Sequence, residues 1–234
     1  MRRTILFFLM ISLIGCSPKK EKDTQSINQT RNMKTKQLIQ GIPTIGVLIF
    51  DGFLTNEVIA PIDVFAKPDK EGTPLFNVVT LAKEQRAYKS EEGLVVFPDF
   101  KLEETPNLNV LVIPSSYHPD VQEKDTTLIT FIQEQNQTTE YIASHCAGAF
   151  LVGASGIADQ KEIVTYVTGG EMLQKAYPQL QVLDDRTISV ARDGKFFSSN
   201  GGLVSYTSSL DLLEKMTSVV HRKYVEEVLL LDRL

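Results

Sequence analysis

The chain has 234 residues, 42% hydrophobic and 23% charged, with a formal net charge of -5. That composition fits a globular domain with short appendages and excludes collagen-like, coiled-coil, wholly disordered and multi-pass membrane chains. The absence of a long basic block argues against nucleic acid as a partner, and two cysteines, Cys16 and Cys146, are too few for a disulfide scaffold or zinc ribbon.

Residues 1–15 read as a signal peptide. Arg2 and Arg3 precede an apolar run from Ile5 to Ile14. The run is shorter than the ~20 residues that cross a bilayer, but it suits secretion. Leu13-Ile14-Gly15-Cys16 resembles a bacterial lipobox, in which the cysteine thiol takes a diacylglyceryl thioether and becomes the new N-terminus. The expected location is therefore an exported protein held on a bacterial membrane by lipid on Cys16. Ser17 in the next position points to the outer membrane, facing the periplasm, if the host has two membranes. A plain signal peptide with an incidental cysteine is the alternative.

Residues 16–41 are expected to form a flexible tether. They are polar and lack periodicity, so they bury too little apolar surface to offset ordering entropy. Residues 17–41 hold six basic and two acidic residues, a net of +4. Subtracting that and the two arginines of the leader from -5 leaves -11 for residues 42–234. A basic tether beside anionic lipid suits that asymmetry, although a solvated linker needs no such role.

Residues 42–234 form the expected domain. Thr44–Phe50 is apolar throughout, the mark of a strand buried on both faces. Thr55–Phe65 has helical spacing, with Pro61 as a kink or boundary. Phe76–Ala82, Leu94–Phe97, Asn109–Ile113 and Tyr141–Ser144 read as further strands. Thr126–Gln135 and the small-residue run Ala147–Ala154 read as helices. Ile188–Val190 and Phe196–Ser198 flank an Asp193-Gly194 hairpin signal. Ser208–His221 and Lys223–Asp232 read as the closing helices. Strands alternating with helices imply a mostly parallel sheet covered on both faces.

The segment Tyr141–Phe150, YIASHCAGAF, runs from a strand through a cysteine into a helix of small residues. This is the layout of a nucleophile elbow. A cysteine at a helix N-terminus can have a pKa anywhere from about 3.5 to 7.5. A buried, inert thiol is the competing reading.

The segment SHCAGAFLVGASGIADQK resembles the elbow region of the ThiJ/PfpI superfamily, which shares the class I glutamine amidotransferase fold. The nearest branch holds isonitrile hydratases and the sensor-like domains of some AraC-type regulators. The likeness extends to Asp51–Phe65 (DGFLTNEVIAPIDVF), Gly93–Asp99 and Asn109–Pro114, so it covers about residues 43–160 in order. It implies a flavodoxin-like three-layer α/β sandwich and Cys146 as the reactive residue. It also implies Glu57 as the acid that meets the sulfur, with a raised pKa because a carboxylate beside a thiolate is repelled. A surface glutamate is the bland alternative. Members of the superfamily commonly form homodimers, and the same is expected here.

The departures fall at partner positions. The branch carries a histidine where this chain has Tyr166, and a Gly-Gly loop where it has Ser115-Ser116. The backbone N–H groups of Ala147, Ser115 and Ser116 are the candidate oxyanion donors. His118, in a loop after a strand end, is a candidate base. His145 should point to the opposite face from its neighbours. His221 should sit late in a helix, where the dipole favours it. No metal-ligand spacing and no phosphate-binding glycine motif is present, so no cofactor is expected. Two functions remain open. One is a small-molecule hydratase or hydrolase that uses Cys146 and Glu57. The other is a redox-sensing or ligand-binding domain without turnover.

Overall fold

A strand with no polar face must be covered on both sides, and the centre of this fold is built from such strands. The computed structural model describes residues 36–233; the lipobox, Cys16 and the leader lie outside the described residues. In chain order the elements are β1 (Thr44–Leu48), α1 (Thr55–Phe65), β2 (Asn77–Ala82), β3 (Tyr88–Lys89), β4 (Val95–Val96), β5 (Phe100–Lys101) and β6 (Val110–Ile113). Then come α2 (Pro119–Gln122), α3 (Thr126–Thr138), β7 (Tyr141–His145), α4 (Gly148–Ser155), β8 (Glu162–Ile163) and α5 (Gly170–Ala176). The chain closes with β9 (Gln181–Val182), β10 (Val190–Asp193), β11 (Phe196–Ser199), α6 (Val204–Met216) and α7 (Val219–Val228).

Seven strands form one sheet in the order β10-β11-β7-β6-β1-β2-β5. Every pairing is parallel except the β10–β11 hairpin. All residues of β1, β2, β6, β7 and β11 are buried, so both faces are covered. Helices α1, α6 and α7 pack as one group, and α2, α3, α4 and α5 as another. This is the mostly parallel, doubly covered sheet expected from the alternating pattern, in the flavodoxin-like α/β sandwich that the family resemblance implies. The chain steps from β1 to β2 on one side and returns to β6 on the other. The loops after β1 and β6 therefore part at the carboxyl ends of the strands, where open α/β sheets place their sites.

Several boundaries differ from the pattern reading. Helix α1 runs unbroken through Pro61. Leu94–Phe97 does not join the main sheet; only Val95–Val96 pairs, antiparallel to β3, in a separate ribbon. The first hairpin strand is Val190–Asp193 rather than Ile188–Val190. The final helices divide at Thr217-Ser218, because the Ser218 hydroxyl caps the His221 N–H at 3.2 Å. His221 thus lies in the first turn of α7, where the dipole argument for a terminal cation does not apply. Burial lowers its pKa instead. Helix α5 carried too little periodicity to be seen in the sequence.

The expected tether also ends earlier than residue 41. The Asn77 side chain accepts the Ile39 N–H at 2.9 Å and donates to the Ile39 carbonyl at 3.0 Å. Lys36 Nζ donates to the Val78 carbonyl at 2.7 Å, and Leu38 packs against the core. An amide side chain that satisfies both backbone groups of one residue acts as a substitute strand edge. Replacing Asn77 with Ala should cost about 1–3 kcal/mol and open residues 36–41 to proteases. Urea unfolding together with limited proteolysis measures both, and unchanged cleavage would contradict the clamp.

Candidate functional site

Cys146 follows β7 with a φ of 53°, in the left-handed region. A non-glycine residue held there costs about 1–3 kcal/mol and needs the surroundings to enforce it. Three contacts do so. The Cys146 N–H donates to the Ser199 carbonyl at 2.8 Å, extending the β7–β11 ladder. The Thr165 hydroxyl donates to the Cys146 carbonyl at 2.9 Å. Helix α4 then begins at Gly148, where a Cβ would stand 2.5 Å from the Ile113 carbonyl oxygen and 3.0 Å from that of Pro114. Only glycine lets the helix start so close to the end of β6. The elbow therefore has a geometric cause: a strand end, a forced left-handed residue and a helix pressed against the next strand.

Glu57 enters from the first turn of α1 and has no exposed surface. Its Oε2 accepts the Ser115 N–H at 2.7 Å, and its Oε1 accepts the Gly202 N–H at 3.4 Å. Gly201 is wedged between the two acids. A Cβ placed on it would lie 2.3 Å from Glu57 Oε1 and 2.4 Å from Cys146 Cβ. Positive φ at Gly201 (84°) and Gly202 (55°) completes this turn.

The electrostatics follow from burial. Desolvation raises the Glu57 pKa, against the lowering effect of the Ser115 and Gly202 donors. Desolvation and then the Glu57 charge push the Cys146 thiol up to about 12. The Ser115 hydroxyl and the Ala147 N–H oppose that rise and do not cancel it. The depressed thiol expected from the helix N-terminus is thus corrected: a buried carboxyl at close range outweighs the end of a short helix. Two acids this close cannot both ionise readily, and their titrations are coupled. Two backbone donors favour the carboxylate form of Glu57 without overcoming the rise that burial causes, and the raised thiol keeps its proton at neutral pH.

The other candidates separate clearly. Tyr166 borders the site: its ring stacks on Phe150, with centroids 6.3 Å apart, and burial followed by charge at Cys146 raises its phenol. His118 is exposed at the start of α2, and its backbone N–H donates to the Ser116 hydroxyl at 3.2 Å. It makes no side-chain hydrogen bond to Glu57 or Cys146, which weakens its reading as the base. His145 is buried, and its Nδ1 meets the Ser199 hydroxyl at 2.8 Å rather than the sulfur. Burial lowers its pKa to about 4, so it is neutral. The Ser115 N–H, expected to face an oxyanion, is spent on Glu57. Ser116 is buried, with its hydroxyl bonded to the Gln122 side chain at 2.7 Å. Among the described residues, no cluster of three or more His, Cys, Asp or Glu is placed to hold a metal ion.

Sequence reasoning missed the role of Ser199, Thr165, Gly201 and Gly202. The Gly-Gly pair was the available signal, since adjacent glycines after a strand mark a special turn. Its partner, Glu57, lies 145 positions away, and no local pattern links them.

The sequence matches the DJ-1/PfpI family over residues 43–215. Isonitrile hydratase of Pseudomonas putida is 26% identical over 175 residues, which are 75% of this chain and 72% of that protein. Two solved structures share the fold. A ThiJ/PfpI family protein from Pseudomonas syringae has a TM-score of 0.72 at 17% identity, covering 80% of this chain and 74% of its own. DJ-1beta of Drosophila melanogaster has a TM-score of 0.71 at 20% identity, covering 81% of this chain and 98% of its own. With the family match spanning most of the domain and the fold shared by both structures, the chain belongs to the DJ-1/PfpI family.

Proposed function

We propose that the domain is a cysteine-dependent hydratase or hydrolase of small molecules, of the isonitrile hydratase type. The observation that carries this reading is the pairing of buried Glu57 with half-buried Cys146, with Tyr166 bordering the site. A carboxylate held by two backbone donors next to a protonated thiol is a base matched to its acid. No histidine is needed to take the proton, which suits a site where His118 and His145 do not reach the sulfur. The likeness to an isonitrile hydratase supports the substrate class.

The steps balance on an isonitrile. Glu57 takes the thiol proton as the sulfur attacks the terminal carbon, forming a C–S bond. The Glu57 carboxylic acid returns that proton to the same carbon, giving a thioimidate. The Tyr166 phenol donates a hydrogen bond to the substrate nitrogen. Water then adds to the carbon, the C–S bond breaks, the sulfur regains a proton and an N-substituted formamide leaves. The net reaction consumes one water. Glu57 is fully buried, so its side of the proton transfer runs in a poorly solvated space, where each hydrogen bond counts for more. A phenol near enough to feel charge at Cys146 favours this reading over a redox or binding domain without turnover.

The lipid on Cys16 is part of the same proposal. The lipobox-like LIGC, the polar stretch behind it and the basic charge of that stretch support an exported, lipid-anchored protein. Its substrate would be a small molecule met outside the cytoplasm.

Three results follow. Cys146→Ser should lower kcat/KM on isonitriles by about 10^3-fold or more, and Glu57→Gln by about 10^2- to 10^4-fold, read by formamide release. Retained turnover in either variant would sink the mechanism. Alkylation of the wild-type thiol should still accelerate above pH 9, because desolvation and the neighbouring Glu57 delay its ionisation. Removing the carboxylate charge lowers the thiol pKa, so Glu57→Gln should alkylate about tenfold faster or more at pH 8; an unchanged or slower rate contradicts the pair. Finally, full-length protein made in a bacterial host should take up labelled fatty acid, and Cys16→Ala should abolish the label. Labelling that survives the substitution would remove the anchor.

A further inference from the structure

Burying a histidine with an unpartnered ring nitrogen costs about 1–3 kcal/mol, so such a residue in a sheet core calls for a reason. His145 is 1% exposed, and its Nε2 makes no hydrogen bond within the described residues. Its Nδ1 has one partner, the hydroxyl of Ser199, directly across the β7–β11 ladder.

Ser199 is a junction. Its carbonyl accepts the Cys146 N–H at 2.8 Å. Its hydroxyl also accepts the Gly201 N–H at 3.3 Å. Gly201 fills the gap between Glu57 and Cys146, and the next N–H, that of Gly202, is a donor to Glu57. A line of contacts thus runs from the His145 imidazole through the Ser199 hydroxyl to the glycine turn that presses on both acids. We propose that His145 and Ser199 are positioning residues: they fix the Gly201-Gly202 turn and so set how the Glu57–Cys146 pair divides its single negative charge. The inference rests on the reading of that pair as the reactive centre and adds the device that tunes it.

The sign can be worked out. The Gly202 N–H stabilises the carboxylate form of Glu57. A turn freed from Ser199 weakens that bond, and more of the charge moves to the sulfur. The titratable groups facing the sulfur are Glu57 on α1 and, from the loop after β8, Tyr166, whose phenol is also raised by Asp185. His145 stays neutral across the working range, so the line acts through geometry and not through its own titration.

The test is the rate of Cys146 alkylation from pH 6 to 10 in the full domain. Ser199→Ala should alkylate about threefold faster than wild type at pH 8, a shift of about half a pH unit. His145→Leu should do the same, and Ser199→Thr, which keeps the hydroxyl, should match wild type. With the carboxylate removed there is no charge to divide, so Glu57→Gln and Glu57→Gln/Ser199→Ala should react at equal rates. A wild-type rate in both Ser199→Ala and His145→Leu overturns the proposal, as does a threefold effect that persists in the Glu57→Gln background. If Glu57→Gln moves the rate and Ser199→Ala does not, the pair stands and the positioning line falls. If Glu57→Gln itself leaves the rate unchanged, the pair falls and takes this inference with it.

Discussion

One constraint organises this molecule: a fully buried carboxyl and a half-buried thiol share a space with room for one charge. Full hydration would let both ionise. The fold limits it by covering every residue of the central strands and by burying Glu57 completely. Backbone N–H groups then decide which acid holds the charge. Two of them point at Glu57, from Ser115 and Gly202, and they favour the carboxylate. The sulfur is left as a poised thiol with its base already in place.

The architecture serves that arrangement. Three parallel strands, β1, β6 and β7, end at one edge, and each supplies a piece. The chain after β1 leads to Glu57, the loop after β6 presents the Ser115 N–H, and β7 runs into Cys146. The fourth piece comes from β11, whose end turns through two glycines into the gap between the acids. Parallel strands bring their carboxyl ends together by topology alone. The strained φ of Cys146 is held by partners from β11 and from the segment after β8, so the cost of the elbow is carried by the sheet as a whole.

Much of this was legible in the chain. The apolar runs at Thr44–Phe50 and Asn109–Ile113 could only be buried strands, and SHCAGA could only be a tight strand-to-helix passage. Glu57 was named through its place in Asp51–Phe65 and its likeness to a family pattern. What stayed hidden was long-range. The meeting of Gly202 with Glu57 joins residues 145 positions apart, and nothing near either residue announces it. The thiol's state was misread because a helix N-terminus is visible in sequence while desolvation by distant elements is not. From the sequence, His118 is a candidate base and Tyr166 stands where the family branch carries a histidine. The structure separates them by exposure: His118 lies on the surface, and Tyr166 is half-buried with its ring stacked on Phe150. Helix ends at Thr217-Ser218 and the fastening of Ile39 by Asn77 depended on single side-chain caps, which periodicity does not reveal.

The most direct measurement of the central claim is the ionisation state of the sulfur itself. In the Cys16→Ala variant, Cys146 is the one cysteine in the chain. Its Cβ can be labelled with carbon-13 and followed by NMR as the pH is raised. The account predicts a thiol signal at neutral pH that persists above pH 9. A thiolate signal at pH 7 would contradict it and would return the elbow to the control of the helix N-terminus.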